Sequence, residues 1–127
     1  MKPVGAVALL LVGASASACP ATAADGELLT AGVVTLAWRA EPRGITVGKP
    51  FELQLMLCPV DAQIVALDAT MPEHRHGMNY KPSLQPLGGG RWRAEGLLWH
   101  MSGRWQLRFD VQQGAARQTL TRDVVLP

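Results

Sequence analysis

Two stretches of alternating apolar and polar residues constrain the fold of this chain more than any other feature. From residue 51 to 57, every odd position holds Phe or Leu, and the positions between hold Glu52, Gln54 and Met56. From 105 to 111, the odd positions hold Trp, Leu, Phe and Val, and the even ones hold Gln, Arg and Asp. Side chains along a strand point alternately to two faces, so each stretch predicts a strand with one buried and one wet face.

Other segments have the same character, and Pro- and Gly-containing turns separate them. These further candidate strands are Val33–Arg39, Gln63–Thr70, Arg91–Leu98 and Arg117–Val125, with a short one at Tyr80–Leu84. Six or seven short strands in this length predict an all-β fold, an antiparallel immunoglobulin-like β-sandwich, with a small barrel as the alternative. On their apolar faces lie Trp38, Trp92 and Trp105, which we expect in the core.

The first 24 residues have the pattern of a secretory signal peptide that is removed on export. Lys2 is followed by the apolar run Val4–Val12, which is too short to span a bilayer, and then by small residues. Cleavage fits before Cys19 or before Asp25, and we favour the second because the polar chain begins there. The mature protein is then one exported domain, residues 25–127, periplasmic or secreted, with its first few residues disordered.

The role of the two cysteines depends on that cleavage. A lipid anchor on Cys19 is the less favoured reading, because Ala16 occupies a position where a large aliphatic residue is usual. If Cys19 is retained, it can form a disulfide with Cys58. If it is removed, Cys58 is alone and is either reactive or, as we favour, a small buried residue at a strand end.

Charge and motif content exclude several functions. One of the 12 Lys and Arg residues, Lys2, lies in the signal, so the mature chain is nearly balanced against its 10 Asp and Glu. This balance gives no reason to expect nucleic acid or an anionic membrane as a partner, and no later apolar run predicts a membrane span. There is no phosphate loop and no serine in a nucleophile-like turn, so we do not expect an enzyme.

Histidine and methionine are concentrated in two short segments, 71–78 and 99–101. They contain all three histidines and three of the four methionines other than Met1. The candidate metal ligands are Met71, His74, His76, Met78, His100 and Met101. Imidazole with thioether favours copper, and Cu(I) in particular, whereas zinc seldom takes methionine. Glu73 is a candidate for orienting an imidazole, and Trp99 for lying against the site.

Whether the two segments meet depends on strand direction. If Tyr80–Leu84 forms a strand that reverses the chain, both segments lie at one pole of the sandwich and Cys58 lies at the other. If the chain only crosses over there, the segments lie at opposite poles. Independently of strand direction, the alternative to a metal site is that the methionines are core filler and the histidines are solvated loop residues or hydrogen-bond a carbonyl.

The stretch from Asp68 to Val111 resembles the YtkA-like family of exported immunoglobulin-like domains. The matching pieces are 69–72 (Ala-Thr-Met-Pro), His74, 76–78 (His-Gly-Met), 90–92 (Gly-Arg-Trp) and 100–107 (His-Met-Ser-Gly-Arg-Trp-Gln-Leu). Similar domains occur in FixH-type proteins associated with copper transport and oxidase assembly, although this chain lacks their retained transmembrane helix. The resemblance implies the fold and a copper context more firmly than it implies a reaction.

Two functions follow as predictions. The first is an exported protein that binds or delivers copper through a His/Met loop site. The second is an interaction module without a metal, which assists a membrane transporter or an assembly factor; an oxidase-assembly partner belongs to either reading.

Overall fold

In the computed structural model, which describes residues 1–10 and 21–127, nine strands form two antiparallel sheets. The strands are β1 Glu27–Ala31, β2 Val34–Glu41, β3 Phe51–Cys58, β4 Gln63–Met71, β5 His76–Gly77, β6 Ser83–Gly88, β7 Arg91–Leu97, β8 Gly103–Gln113 and β9 Ala116–Leu126. One sheet has the order β1-β2-β3-β7-β6 and the other β5-β4-β8-β9. The predicted all-β sandwich is therefore confirmed.

The alternating sequence accounts for how the two sheets pack. In β3 and β8, the odd-numbered residues 51–57 and 105–111 are buried, while most residues between them remain partly or fully exposed. The inner faces of both sheets meet in one hydrophobic cluster. Trp38, Trp92 and Trp105 belong to it, as predicted, and Trp99 is also fully buried there.

The structure contains more strands than the sequence predicted. β1, from Glu27 to Ala31, lies where we expected disorder; it pairs along its whole length with β2. Its sequence does not alternate cleanly because it is an edge strand and buries little of its surface. β5 was missed because it has only two residues, too few for any periodic pattern.

The chain does reverse between the two His/Met segments. The strand predicted at Tyr80–Leu84 is displaced to β6, which pairs antiparallel with β7. Pro86 lies within β6, and an edge strand tolerates it because its N–H side needs no partner. The β4–β5 turn and the loop after β7 consequently lie at the same pole of the sandwich.

Cys58 ends β3 at the opposite pole. It is buried, as predicted for a residue at this strand end, but it is disulfide-bonded, so the favoured prediction that Cys58 is alone does not hold in this structure. The alternatives for Cys19 concern a residue outside the described part of the chain, as does part of the predicted signal peptide. Among the described residues, no helix is both long and apolar enough to cross a membrane.

Candidate metal site

The turn between β4 and β5 carries the first group of candidate ligands. Met71 and His76 face each other across the antiparallel pair, and the His74 N–H donates to the Met71 carbonyl at 3.1 Å. Directly opposed residues share a face of a sheet, so His76 is placed on the same inner face as the buried Met71. The turn is tight enough that Arg75 adopts a left-handed φ of 54°.

The loop between β7 and β8, residues 98–102, carries the second group. The Gly48 N–H donates to the Trp99 carbonyl at 2.8 Å, and Trp105 Nε1 donates to the Met101 carbonyl at 3.0 Å. The indoles of Trp99 and Trp105 stack with centroids 5.1 Å apart and an interplanar angle of 4°. These contacts fix the loop, and with it His100, to the end of the core.

The three imidazoles come together at this pole. The ring centroid of His76 lies 5.3 Å from that of His100 and 5.7 Å from that of His74. His76 is half-buried between the other two, which are exposed. The prediction that the two segments meet is confirmed, even though His76 and His100 are far apart in sequence.

The three thioethers differ in accessibility. Met71 is 0% exposed and belongs to the hydrophobic core. A Cβ added at Gly103 would lie 2.9 Å from Met71 Cε, so its methyl group fills the space beside that glycine. Met78 and Met101 are half-buried and pack against the same core. Met78 and Met101 are therefore partly exposed residues of this pole, and Met71 is enclosed.

The aromatic residue in contact with the imidazoles is Trp105, which we had expected only as core. Its ring makes edge contacts with His76 at 6.2 Å and 71°, and with His100 at 5.6 Å and 80°. Trp99, the residue we had placed against the site, lies behind Trp105. The sequence signal was available: Trp105 is the first inward residue of β8 after the loop that carries His100.

Glu73 binds an arginine instead of orienting an imidazole. Its Oε1 lies 3.0 Å from Arg104 Nε, and Arg104 Nη1 lies 3.1 Å from Asp123 Oδ2 on β9. The pKa of Arg104 is raised, chiefly by the hydrogen bond with Glu73 and also by that with Asp123. The two ion pairs of Arg104, with Glu73 and with Asp123, join the turn that carries His74 to the outer face of the sheet formed by β8 and β9.

The imidazoles are close together but are not arranged as a formed metal site. In residues 1–10 and 21–127, no group of three or more His, Cys, Asp or Glu side chains is arranged to hold an ion. This absence does not cover a site that is completed by a methionine thioether. Comparisons with family models, with curated proteins and with solved structures give no match for this chain. The resemblance to YtkA-like proteins therefore stays a prediction.

Proposed function

We propose that this protein is an exported, periplasmic metal-binding protein that binds or delivers copper through its His/Met pole. The observation that carries the proposal is the approach of His74, His76 and His100, which come from two separate loops. In the unfolded sequence nothing brings His100 to the turn that carries the other two. The core beneath is filled by Trp99 and Trp105, so the exposed residues His74 and His100 add little burial of their own.

The separations of His76 from His74 and from His100 each fit an ion shared by that pair of rings. An ion bonded to two imidazole nitrogens at about 2.0 Å in a tetrahedral shell holds the two ring centroids about 5 Å apart. The centroid separations of 5.3 and 5.7 Å are within an ångström of this value. Because χ2 is a soft torsion in histidine, the rings can turn without movement of the backbone.

The donor types favour copper over other metals. Imidazole alone suits zinc, copper and nickel, but the thioethers of the partly exposed Met78 and Met101 add a soft donor that suits Cu(I). His74 and His100 are exposed, so an ion held here is open to a second protein. An exposed site of this kind suits delivery of the ion better than its permanent storage.

The test is a competition titration with Cu(I) under reducing conditions against a chelator of known affinity. We expect the folded protein to compete, and a variant with His74→Ala, His76→Ala and Met78→Ala to lose most of its affinity. Met56→Leu is the matched control, because Met56 is a buried thioether on β3 and belongs to neither His/Met loop. Equal Cu(I) affinity in the triple variant and the wild type would end the proposal.

A second candidate is the interaction module without a metal, in which this pole contacts a membrane transporter or an assembly factor. It is favoured by the absence, in the described chain, of a formed group of three or more His, Cys, Asp or Glu ligands. Half-buried methionines make an adaptable apolar contact surface. Binding to such a partner would then persist with a chelator present and would be lost in Met78→Ala and Met101→Ala variants.

A further inference from the structure

The turn that carries His74 has little burial to hold it in place. Its four residues, 72–75, are all exposed, and Arg75 has a left-handed backbone conformation that L side chains rarely adopt. The hydrogen bond from the His74 N–H to the Met71 carbonyl is local to the turn. Pairing of β4 with β5 holds the two ends of the turn, so the position of the His74 ring depends further on any side-chain link between the turn and the rest of the fold.

That link is Arg104. Its guanidinium lies between Glu73 of the turn and Asp123 of β9, and the other carboxylate oxygen of Asp123 accepts from Gln106 Nε2 at 3.3 Å. The Arg104 side chain is 33% exposed, and its Nε and Nη1 each meet a different carboxylate, which orients the guanidinium fork. The next residue along β8 is Trp105, against which His76 and His100 pack.

We propose that Arg104 is a positioning residue for His74 in the metal site, an inference that rests on the proposed function. A guanidinium is always protonated and is not a metal ligand, so Arg104 acts only through Glu73 and the turn. Arg104 thus fixes the His74 imidazole relative to Trp105, the indole that supports His76 and His100.

The electrostatic effect of removing Arg104 predicts the opposite change in cation affinity from the loss of positioning. Arg104 with Glu73 and Asp123 carries a net charge of about −1, and removing the arginine leaves two unpaired carboxylates near the pole. If only the local field mattered, Arg104→Gln would bind a cation more tightly. If positioning matters, Arg104→Gln binds it more weakly, because His74 is no longer held.

The experiment measures Cu(I) affinity in Arg104→Gln, His74→Ala and the double variant. We expect Arg104→Gln to lower the affinity about tenfold, the lower end of the roughly 10- to 100-fold loss that removal of an outer support commonly causes. In the His74→Ala background, the same substitution should cause no further loss. Arg108→Gln is the matched control, because Arg108 lies on the same face of β8 and pairs with Asp110 at 3.2 Å, away from the turn. Its affinity should equal that of the wild type.

Three results would overturn the inference: an unchanged affinity in Arg104→Gln, an increased one, or an equal loss with and without His74. A second readout needs no metal at all. In the NMR spectrum of the metal-free protein, Arg104→Gln should shift and broaden the His74 ring signals, while Arg108→Gln should not. Unchanged His74 signals count against the inference, whereas absence of Cu(I) binding by the wild type counts against the proposed function alone.

Discussion

Three buried tryptophans, Trp38, Trp99 and Trp105, offer a test of what holds the His/Met pole together. Each is replaced by Phe, so the change in ring size is similar and largely cancels in the comparison. What differs is the set of contacts. Trp105 has both a stacked neighbour and a hydrogen bond from Nε1 to the Met101 carbonyl. Trp99 has the stack, and also an edge contact with Phe51 at 5.2 Å, but its Nε1 donates to no acceptor in the described chain.

Trp38 is the reference. Its Nε1 is buried without an acceptor among the described residues. Within the same part of the chain, the Trp38 indole is in contact with no other aromatic ring. Retaining a buried donor without an acceptor costs about 1–3 kcal/mol, a cost that Trp38→Phe relieves. Trp105→Phe instead loses a hydrogen bond worth about 0.5–1.5 kcal/mol and much of a stacking contact worth about 0.5–1.5 kcal/mol.

The expected order of destabilisation is Trp105→Phe, then Trp99→Phe, then Trp38→Phe. The first and last should differ by at least about 2 kcal/mol in the free energy of unfolding. For a domain of this size that corresponds to roughly 8 °C in the unfolding midpoint. Urea and thermal unfolding followed by far-UV circular dichroism measure both quantities.

Circular dichroism also reports the stack directly. The coupled signal of two stacked indoles should disappear in both Trp99→Phe and Trp105→Phe and should persist in Trp38→Phe. Since Trp105 supports His76 and His100, its replacement should also weaken Cu(I) binding, and that of Trp38 should not. Equal destabilisation in Trp38→Phe and Trp105→Phe would refute the reasoning.

Two further predictions follow from single residues. Met71→Leu should lower the free energy of unfolding by less than about 1.5 kcal/mol, because it conserves volume in the core. It should leave the Cu(I) affinity unchanged, because Met71 is enclosed. A large loss of affinity in a Cu(I) titration would instead make Met71 a ligand. The second prediction concerns the pKa of Asp110. Burial raises this pKa, but hydrogen bonds donated by Thr119 and Arg108 lower it by more, so it lies below the ordinary value of an aspartate. A depressed pKa in the folded state stabilises the fold above the unfolded value, and this stability is lost as pH falls through the folded value. Asp110→Asn should therefore lose less stability than the wild type as the pH falls below about 4, the ordinary pKa of an aspartate, in acid titrations of unfolding; parallel curves would contradict this.

Much of the fold could be predicted from the local alternation of apolar and polar residues. β3 and β8 were predicted within one or two residues, because alternation over seven positions survives wherever one face is buried. β1 and β5 were not, because an edge strand and a two-residue strand bury too little to leave a pattern in the sequence. The displacement from Tyr80–Leu84 to β6 has the same cause, since most residues of that strand are exposed.

For the candidate site, the sequence supplied the residue types and the structure supplied the neighbours. All six candidate ligands were named from composition, but their differing burial was not predictable, because Met71 and Met78 look alike in sequence. The roles of Trp105 and Arg104 were missed for a related reason. Each depends on a partner far away in the sequence, Trp105 on His76 at 29 residues and Arg104 on Glu73 at 31 residues.

The sequence by itself determined an all-β chain with its soft metal donors confined to two segments, because strand periodicity and ligand chemistry are local properties. Only the tertiary structure decided that His74, His76 and His100 share one pole. That outcome required β6 to pair antiparallel with β7. The chain then runs away from the His/Met pole along the edge strand β6 and returns to that pole along β7. Pairing between strands depends on the packing of the whole sandwich, and no short window of residues contains that information.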